Sequence, residues 1–380
     1  MEISIDPIYI VLLLSIITLV YNVNRNYHVD RRSPNHQLIS YLSKIKIDKK
    51  MIIDISSGEK EDKLQIFEDE ILIRHRNQKR SEFNQLVKLY DSKLEDALKS
   101  SFIETSPIEI TNYFSNHYRY LIIELTKKQA DDKTMESILN SYSKNSDILL
   151  DLLDRDTQTY IEENKVISNN YVDFIMISVE YKNNAAFSRC IELFFESFKS
   201  SMEKNYSDSD IMVSYIVNFN RITKYTCEEY FNVGLLASFL HKTGSILLRN
   251  KYYTSFNMLL NTFENIITSS LNIHDIGMLE PDGINHVKTN LMVTVRALIS
   301  FMSNTEFDLQ EEYYIKIEKI ILQNLSNTFY MNEIYHAVEK LSRGYKQNSE
   351  SALKVSEICD KYMKLQAETL WNNKSANIDN

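Results

Sequence analysis

Few residues of this chain stand in patterns that could carry out chemistry. The sequence contains no GxGxxG, GxxxxGK[ST], HExxH, GxSxG or EF-hand pattern, which excludes the commonest nucleotide-binding, zincin and serine-hydrolase classes. One cluster remains: His274, Asp275, Ile276 and Gly277 are consecutive within the loop SLNIHDIGMLEPDGINH. This loop holds two of the six glycines and one of the four prolines. His241 lies upstream of this cluster, on the preceding predicted helix.

The tetrapeptide His-Asp-Ile-Gly resembles the HDIG element of HD-domain metal phosphohydrolases. In that family a His-Asp pair, an upstream His and a downstream Asp bind a divalent metal that activates water on a phosphate ester. The resemblance implies a metal site formed by His241, His274 and Asp275, with His274 and Asp275 as its catalytic pair. Asp308 is the downstream carboxylate available for the remaining position.

A structural loop without any cofactor is the alternative interpretation of the same residues. Met278 stands where the family commonly has lysine, and Asp275 and Gly277 suit an ordinary loop at the end of a helix. We therefore favour the structural loop over the metal site.

The N-terminal segment has the length and polarity of a membrane span. Residues 7–24 (PIYIVLLLSIITLVYNVN) form one uninterrupted run without a charged side chain. A helix of this length reaches roughly 27 Å, close to the roughly 30 Å hydrocarbon thickness of a bilayer. No Lys or Arg precedes the run, whereas Arg25, Arg31 and Arg32 follow it. The positive-inside rule therefore predicts a single-pass anchor over 1–24, with the N terminus outside and the body in the cytoplasm. A buried core helix is the alternative.

Composition predicts helices for the rest of the chain. Only 6 Gly and 4 Pro in 380 residues leave too few turn-forming residues for a sheet-rich or Rossmann-type protein. The 43 Lys+Arg and 52 Asp+Glu give a net charge of -9, which argues against nucleic acid as a partner. Three widely spaced cysteines form neither a metal motif nor a disulfide framework. The predicted fold class is all-α, with one transmembrane helix followed by a solenoid-like body of helical hairpins.

Between the anchor and the body, the sequence predicts a linker and a charged neck. Residues 25–58 are a juxtamembrane linker, in which KIKIDKKMIIDIS (44–56) favours a short hairpin. Residues 59–105 have the pattern of a charged neck helix with an apolar seam at heptad spacing. That seam predicts a homodimer, and the alternative is an amphipathic helix packed on its own chain. The seam consists of Phe83, Val87, Tyr90, Leu94 and Ala97.

Apolar residues at helical spacing and short polar joints predict a helical-hairpin array over 106–372, followed by a disordered tail at 373–380. Segments 184–198 and 250–264 match each other in apolar placement, and Gly244 begins a small-residue stretch before the second copy. This pattern resembles that of tetratricopeptide repeats, and the resemblance implies hairpins that stack into a solenoid.

Two function classes follow from these observations. The favoured one is a membrane-anchored cytoplasmic scaffold whose helical body recognises a protein partner, since stacked hairpins form extended binding surfaces. The alternative is a membrane-anchored, metal-dependent HD-type phosphohydrolase. A bacterial stress or defence component is a setting compatible with either class, because the richness in Asn, Ile, Lys and Tyr is typical of an AT-rich genome.

Overall fold

A computed structural model describes most of the chain after residue 62. The ranges are 63–101, 107–153, 158–203, 209–229, 234–272, 281–304, 309–325 and 350–376, with isolated positions at 40, 44, 306, 307, 327, 329–331 and 334. The predicted anchor helix over 7–24 and nearly all of the linker, with its hairpin, lie outside these ranges. No helix within them is long and apolar enough to cross a bilayer.

Every longer regular element in the described ranges is an α-helix, which confirms the predicted all-α class. The predicted tail at 373–380 begins inside the last helix, which continues to Ala376. The helices are α1 (Lys63–Arg76), α2 (Arg80–Ser101), α3 (Pro107–Lys127), α4 (Asp132–Leu152), α5 (Gln158–Glu180), α6 (Asn184–Glu203), α7 (Ser209–Glu228), α8 (Gly234–Arg249), α9 (Tyr253–Leu271), α10 (Pro281–Ser303), α11 (Glu311–Leu322) and α12 (Glu350–Ala376).

The charged segment 59–105, predicted as one neck helix, contains the two helices α1 and α2. They pack against each other across a short turn, in which Gln78 adopts a φ of 55° and the Lys79 amide bonds the Arg74 carbonyl. In the predicted heptad seam, Val87 is 4% exposed and Leu94 is 2% exposed. The seam is therefore used for packing within one chain, as the alternative interpretation expected. Self-association of the chain stays a prediction, and it would need another surface.

The chain divides into two compact units, Met1–His117 and Tyr118–Asn380. In the second unit, helices two apart in the chain pack side by side. Helices α4, α6, α8, α10 and α12 form one layer, here called layer A, and α5, α7, α9 and α11 form layer B. This arrangement confirms the predicted stack of helical hairpins.

The structural repeat differs from the one read in the sequence. Helices α4, α6 and α8 begin at Asp132, Asn184 and Gly234, so one hairpin spans about 50 residues. The two segments with matching apolar placement, 184–198 and 250–264, fall in α6 of layer A and at α9 of layer B. Their similarity therefore reflects the apolar spacing shared by core-facing helices, and they are not equivalent positions of one repeat.

Three turns between described helices form without glycine. Two residues after the ends of α3, α5 and α8, the residues Gln129, Lys182 and Lys251 adopt the left-handed region, with φ between 52° and 60°. After α5, the amide of Asn183 bonds the Ser178 carbonyl at 2.8 Å, a pattern that closes a helix C terminus. The next helix starts at once, because the side chain of Asn183 accepts a hydrogen bond from the Ala186 amide at 3.0 Å. These closures allow compact hairpins in a chain that has few glycines.

Candidate functional site

His241 is the one member of the predicted metal site that the structure describes. It lies on α8, where its Nε2 is 3.1 Å from Ser300 Oγ and its ring stacks on Phe301 at 4.9 Å between centroids. His274 and Asp275 lie outside the described residues, as does Asp308. Within the described ranges, no group of three or more His, Cys, Asp or Glu side chains could hold a metal. His241 thus packs on α10, and the metal site stays a prediction.

Burial lowers the pKa of His241 below its ordinary value of 6.5. The unfolded chain therefore takes up a proton on this side chain at a higher pH than the folded chain does. Above about pH 6.5 the side chain is neutral in both states, and its contribution to stability is complete. As the pH falls below that value the unfolded state gains protons, and this contribution is lost. The free energy of unfolding of wild type should therefore fall between pH 7.5 and pH 5.5. We expect a smaller fall in His241→Gln.

Urea denaturation of wild type and His241→Gln at both pH values measures this effect. Glutamine keeps a polar group able to bond Ser300, and it does not titrate in this range. The matched control is Lys242→Gln, the same replacement at the next position of α8, which is exposed. An equal pH dependence in wild type and His241→Gln would contradict the prediction.

A polar cleft of about 340 Å³ opens among α4, α5 and α6, and is here called the serine cleft. It combines four serine hydroxyls with three carboxylates and a phenol. The lining residues are Ser143, Ser146, Asp147, Leu150, Asp151, Ile167, Tyr171, Glu196, Ser197 and Ser200.

Hydroxyl groups of the serine cleft are bonded to the protein. Ser197 Oγ lies 2.6 Å from the Tyr215 hydroxyl, and Ser146 Oγ donates to the Tyr142 carbonyl at 2.9 Å. Burial raises the pKa of Tyr171 well above its ordinary value, and it raises the pKa of Tyr215 to about 12. Both phenols therefore stay neutral near pH 7. With no histidine or cysteine among its lining residues, the cleft offers hydrogen-bond acceptors for a bound group and lacks a nucleophile paired with a base.

A second cleft, of about 410 Å³, lies near the first turns of α4 and α6. Its acidic residues Asp132, Glu136 and Glu192 surround Arg189. The Arg189 guanidinium donates to Asn140 Oδ1 at 2.7 Å and 2.9 Å, and to Glu192 at 2.8 Å. Because its cation is held by the protein, this part of layer A presents an acidic surface.

The outer surface of layer B differs in charge from this acidic surface, because its helix α9 is almost uncharged. Helix α9 carries one charged residue among nineteen, Glu264. The exposed positions of α9 include Thr254, Asn257, Asn261 and Thr268. Charged residues are depleted from the cores of protein interfaces relative to the rest of the surface. The α9 surface shares this depletion of charge.

Asparagine side chains connect the helices of layer B. From α7, Asn218 Nδ2 donates to Ser168 Oγ at 2.7 Å and to Asn169 Oδ1 at 3.1 Å on α5. From α9, Asn265 Nδ2 donates to Asn220 Oδ1 on α7 at 2.8 Å. These side chains, together with the exposed amides of α9, are here called the amide row. Its members are Asn169, Asn218, Asn220, Asn257, Asn261 and Asn265.

A lysine of α11 completes this arrangement. Lys316 Nζ donates to Asn257 Oδ1 and to Asn261 Oδ1, at 2.6 Å each. Burial lowers the pKa of Lys316. The amide row was not predicted from the sequence, although Asn257, Asn261 and Asn265 recur every four residues and so share one face of a helix.

The comparisons with known proteins identify no family. No family model matches the sequence, and no curated protein matches it. Among solved structures, the chain is similar to a circular tandem repeat protein with a novel repeat topology and enhanced subunit contact surfaces, at 9% identity and a TM-score of 0.38, over 91% of this chain and 92% of that one. It is also similar to a computationally designed, self-assembling cyclic protein homooligomer, at 14% identity and a TM-score of 0.19, over 82% of this chain and 99% of that one.

Proposed function

We propose that this chain is a membrane-tethered helical scaffold that recognises a protein partner through the outer surface of layer B. The observation that carries the proposal is the amide row, which crosses three successive helices and continues to Lys316 on a fourth. Stacked helices of this kind form extended recognition surfaces.

The predicted anchor over 7–24 would locate the scaffold at a membrane. A single span with arginines on its C-terminal side would hold the helical body at the cytoplasmic face of the membrane. Confinement to that surface raises the effective concentration of the body relative to a partner at the same membrane. A bacterial stress or defence component that acts at the inner face of the membrane is the setting that we propose.

Site-specific photocrosslinking in cells tests this function. A photoreactive amino acid at Asn261, on the exposed face of α9, should cross-link one protein of defined mass. The same amino acid at Glu357, an exposed position of α12 in layer A, serves as the control and should not cross-link that protein. Deletion of residues 1–24 should reduce the cross-linked product about tenfold or more, because the tether is lost.

Three results would contradict the proposal. Equal cross-linking from Asn261 and Glu357 would show that no particular surface is used. Absence of any cross-linked protein from several exposed layer B positions would remove the recognition function. A C-terminal reporter that is active outside the cell would reverse the proposed orientation of the anchor.

A further inference from the structure

We infer that the amide row binds the main chain of an extended polypeptide segment that carries acidic side chains. This inference rests on the proposed function and deepens it, because it names the chemistry of the partner at layer B. It follows from three properties of the surface: the spacing of its helices, the hydrogen-bonding groups that its asparagines present, and the charges at its sides.

The spacing of packed helices suits an extended chain. Helices in contact lie about 8–10 Å apart, and an extended chain advances about 3.3 Å per residue. A segment that crosses α5, α7 and α9 therefore meets a new helix about every third residue. The amide row offers at least one asparagine on each of these helices, at Asn169, Asn220 and Asn265.

Asparagine presents the groups that pair with a peptide bond. Its side chain has two N–H donors and one carbonyl acceptor, which match the carbonyl and amide of a main chain. Asn265 gives one N–H to Asn220 Oδ1. Within the described residues, no hydrogen bond reaches the Nδ2 of Asn220 or the Oδ1 of Asn265. Both residues are half-buried, so this donor and this acceptor stand side by side at the surface.

The amide row is held in place before any partner arrives. Asn218 is 2% exposed, its Nδ2 is bonded to α5, and its Oδ1 accepts from Arg221 at 3.3 Å. Lys316 fixes the amides of Asn257 and Asn261. Side chains that are already ordered lose less conformational entropy on binding. Binding to the amide row would therefore cost less conformational entropy than binding to side chains that rotate freely.

An extended segment suits these groups better than a helix does. In an α-helix the main-chain amides and carbonyls bond each other, so a helical partner would offer the amide row only side chains. An extended segment offers its main chain at every residue. The exposed Val217 on α7 and Ile315 on α11, at 45% and 59% exposure, provide apolar contacts for side chains of such a segment.

Cations at both sides of α9 select acidic side chains. Arg221 is exposed on α7, and Lys319 is exposed on α11. Glu264, the one carboxylate of α9, accepts a hydrogen bond from Gln323 at 3.0 Å. Complementary charge speeds encounter and suppresses partners of the wrong sign.

The test is selection of a random dodecapeptide display library on the full chain in detergent micelles. The enriched peptides should be acidic and rich in residues that favour an extended main chain. A representative peptide, labelled with fluorescein, then reports affinity by anisotropy. We expect Asn220→Asp to weaken binding about tenfold or more, because a carboxylate replaces the free donor and repels acidic side chains. The new carboxylate still accepts the hydrogen bond from Asn265.

The matched control is Asn250→Asp, the same change at an exposed position after α8, which should leave the affinity unchanged. Arg221→Glu should weaken binding to a similar extent as Asn220→Asp. Circular dichroism of each variant checks that the helices are retained. Acidic peptides that lose affinity with Asn220→Asp and Arg221→Glu, but keep it with Asn250→Asp, would support the inference.

Enrichment of basic peptides, enrichment of none, or equal binding to wild type and Asn220→Asp would overturn it. These failures differ from a failure of the proposed function. A cellular protein that cross-links from Asn261 while its binding tolerates Asn220→Asp would keep the scaffold and exclude main-chain recognition by the amide row. Peptide binding without any cellular cross-link would exclude the proposed function alone.

Discussion

His117→Leu is expected to lower the free energy of unfolding of the first unit by about 3 kcal/mol. His117 lies near the middle of α3, and its Nδ1 is hydrogen bonded to Oε1 of Glu68 on α1. The two side chains belong to residues that are 8% and 3% exposed. Removal of the histidine takes this hydrogen-bond partner away from a carboxyl group that stays buried, which costs about 1–3 kcal/mol and more when the group is charged.

Tyr90 shares the same carboxylate. Its hydroxyl donates to Glu68 Oε1 at 3.3 Å, and the ring is fully buried on α2. One carboxylate therefore joins α1, α2 and α3, and its loss or isolation affects all three helices. The edge of the Tyr113 ring approaches the His117 ring at 4.5 Å between centroids, so a leucine at position 117 also loses an aromatic contact.

Hydrogen exchange of peptides from 63–101 measures the local free energy of opening in this unit. The matched control is the triple variant Glu68→Leu, Tyr90→Phe and His117→Leu, in which the whole polar group becomes apolar. It should be more stable than His117→Leu alone, because the carboxyl group that loses its partner is also removed. Protection in His117→Leu equal to that in wild type would show that the buried pair does not stabilise the unit.

The periodicity of apolar residues was sufficient to predict a stack of helical hairpins, because it identifies the side of each helix that packs into the core. Boundaries were harder to predict. The turn after α1 contains neither Gly nor Pro, and it forms because Gln78 accepts the left-handed region. The charged segment 59–105 was therefore predicted as one helix. Its apolar seam was assigned correctly to a buried face, but the partner of that face is α1 of the same chain.

The candidate site was harder to predict than the fold. The regular spacing of Asn257, Asn261 and Asn265 is visible in the sequence, yet their importance depends on which helix lies beside α9. That neighbour is α7, whose Asn220 accepts from Asn265 at 2.8 Å although the two are distant in the chain. A contact between residues so distant in the chain depends on which helices pack side by side in the layer. The spacing of asparagines within one helix does not predict that neighbour.

Gly244 shows how a small residue can be misread when the packing is unknown. In the sequence, the small-residue stretch at Gly244 belongs to the pattern that resembles tetratricopeptide repeats. In the structure Gly244 lies inside α8, where it is fully helical and close to the aromatic ring of Phe301 on α10. A glycine in a helix interior usually costs about 1 kcal/mol relative to alanine, so its presence here has a packing reason.

Gly244→Ala should reverse the usual effect of this substitution and destabilise the second unit by about 2 kcal/mol. A Cβ at this position would lie 2.5 Å from Phe301 Cζ and 3.2 Å from Leu259 Cδ2. The ring of Phe301 has little room to move, because it is fully buried and packs edge-to-face on Phe256 at 5.2 Å between centroids. His241 stacks on the same ring at 4.9 Å. The cost of overpacking therefore exceeds the gain in helix propensity.

Urea denaturation of Gly244→Ala measures this loss, with Ser245→Ala on the same helix as the control. Ser245→Ala should change the free energy of unfolding by no more than about 0.5 kcal/mol, because this half-buried side chain bonds only the His241 carbonyl of its own helix. The double variant Gly244→Ala, Phe301→Leu should lose less stability than the two single variants added together, since the shorter side chain makes room for the new Cβ. A Gly244→Ala protein that is more stable than wild type would mean that the approach of α10 to α8 does not require glycine.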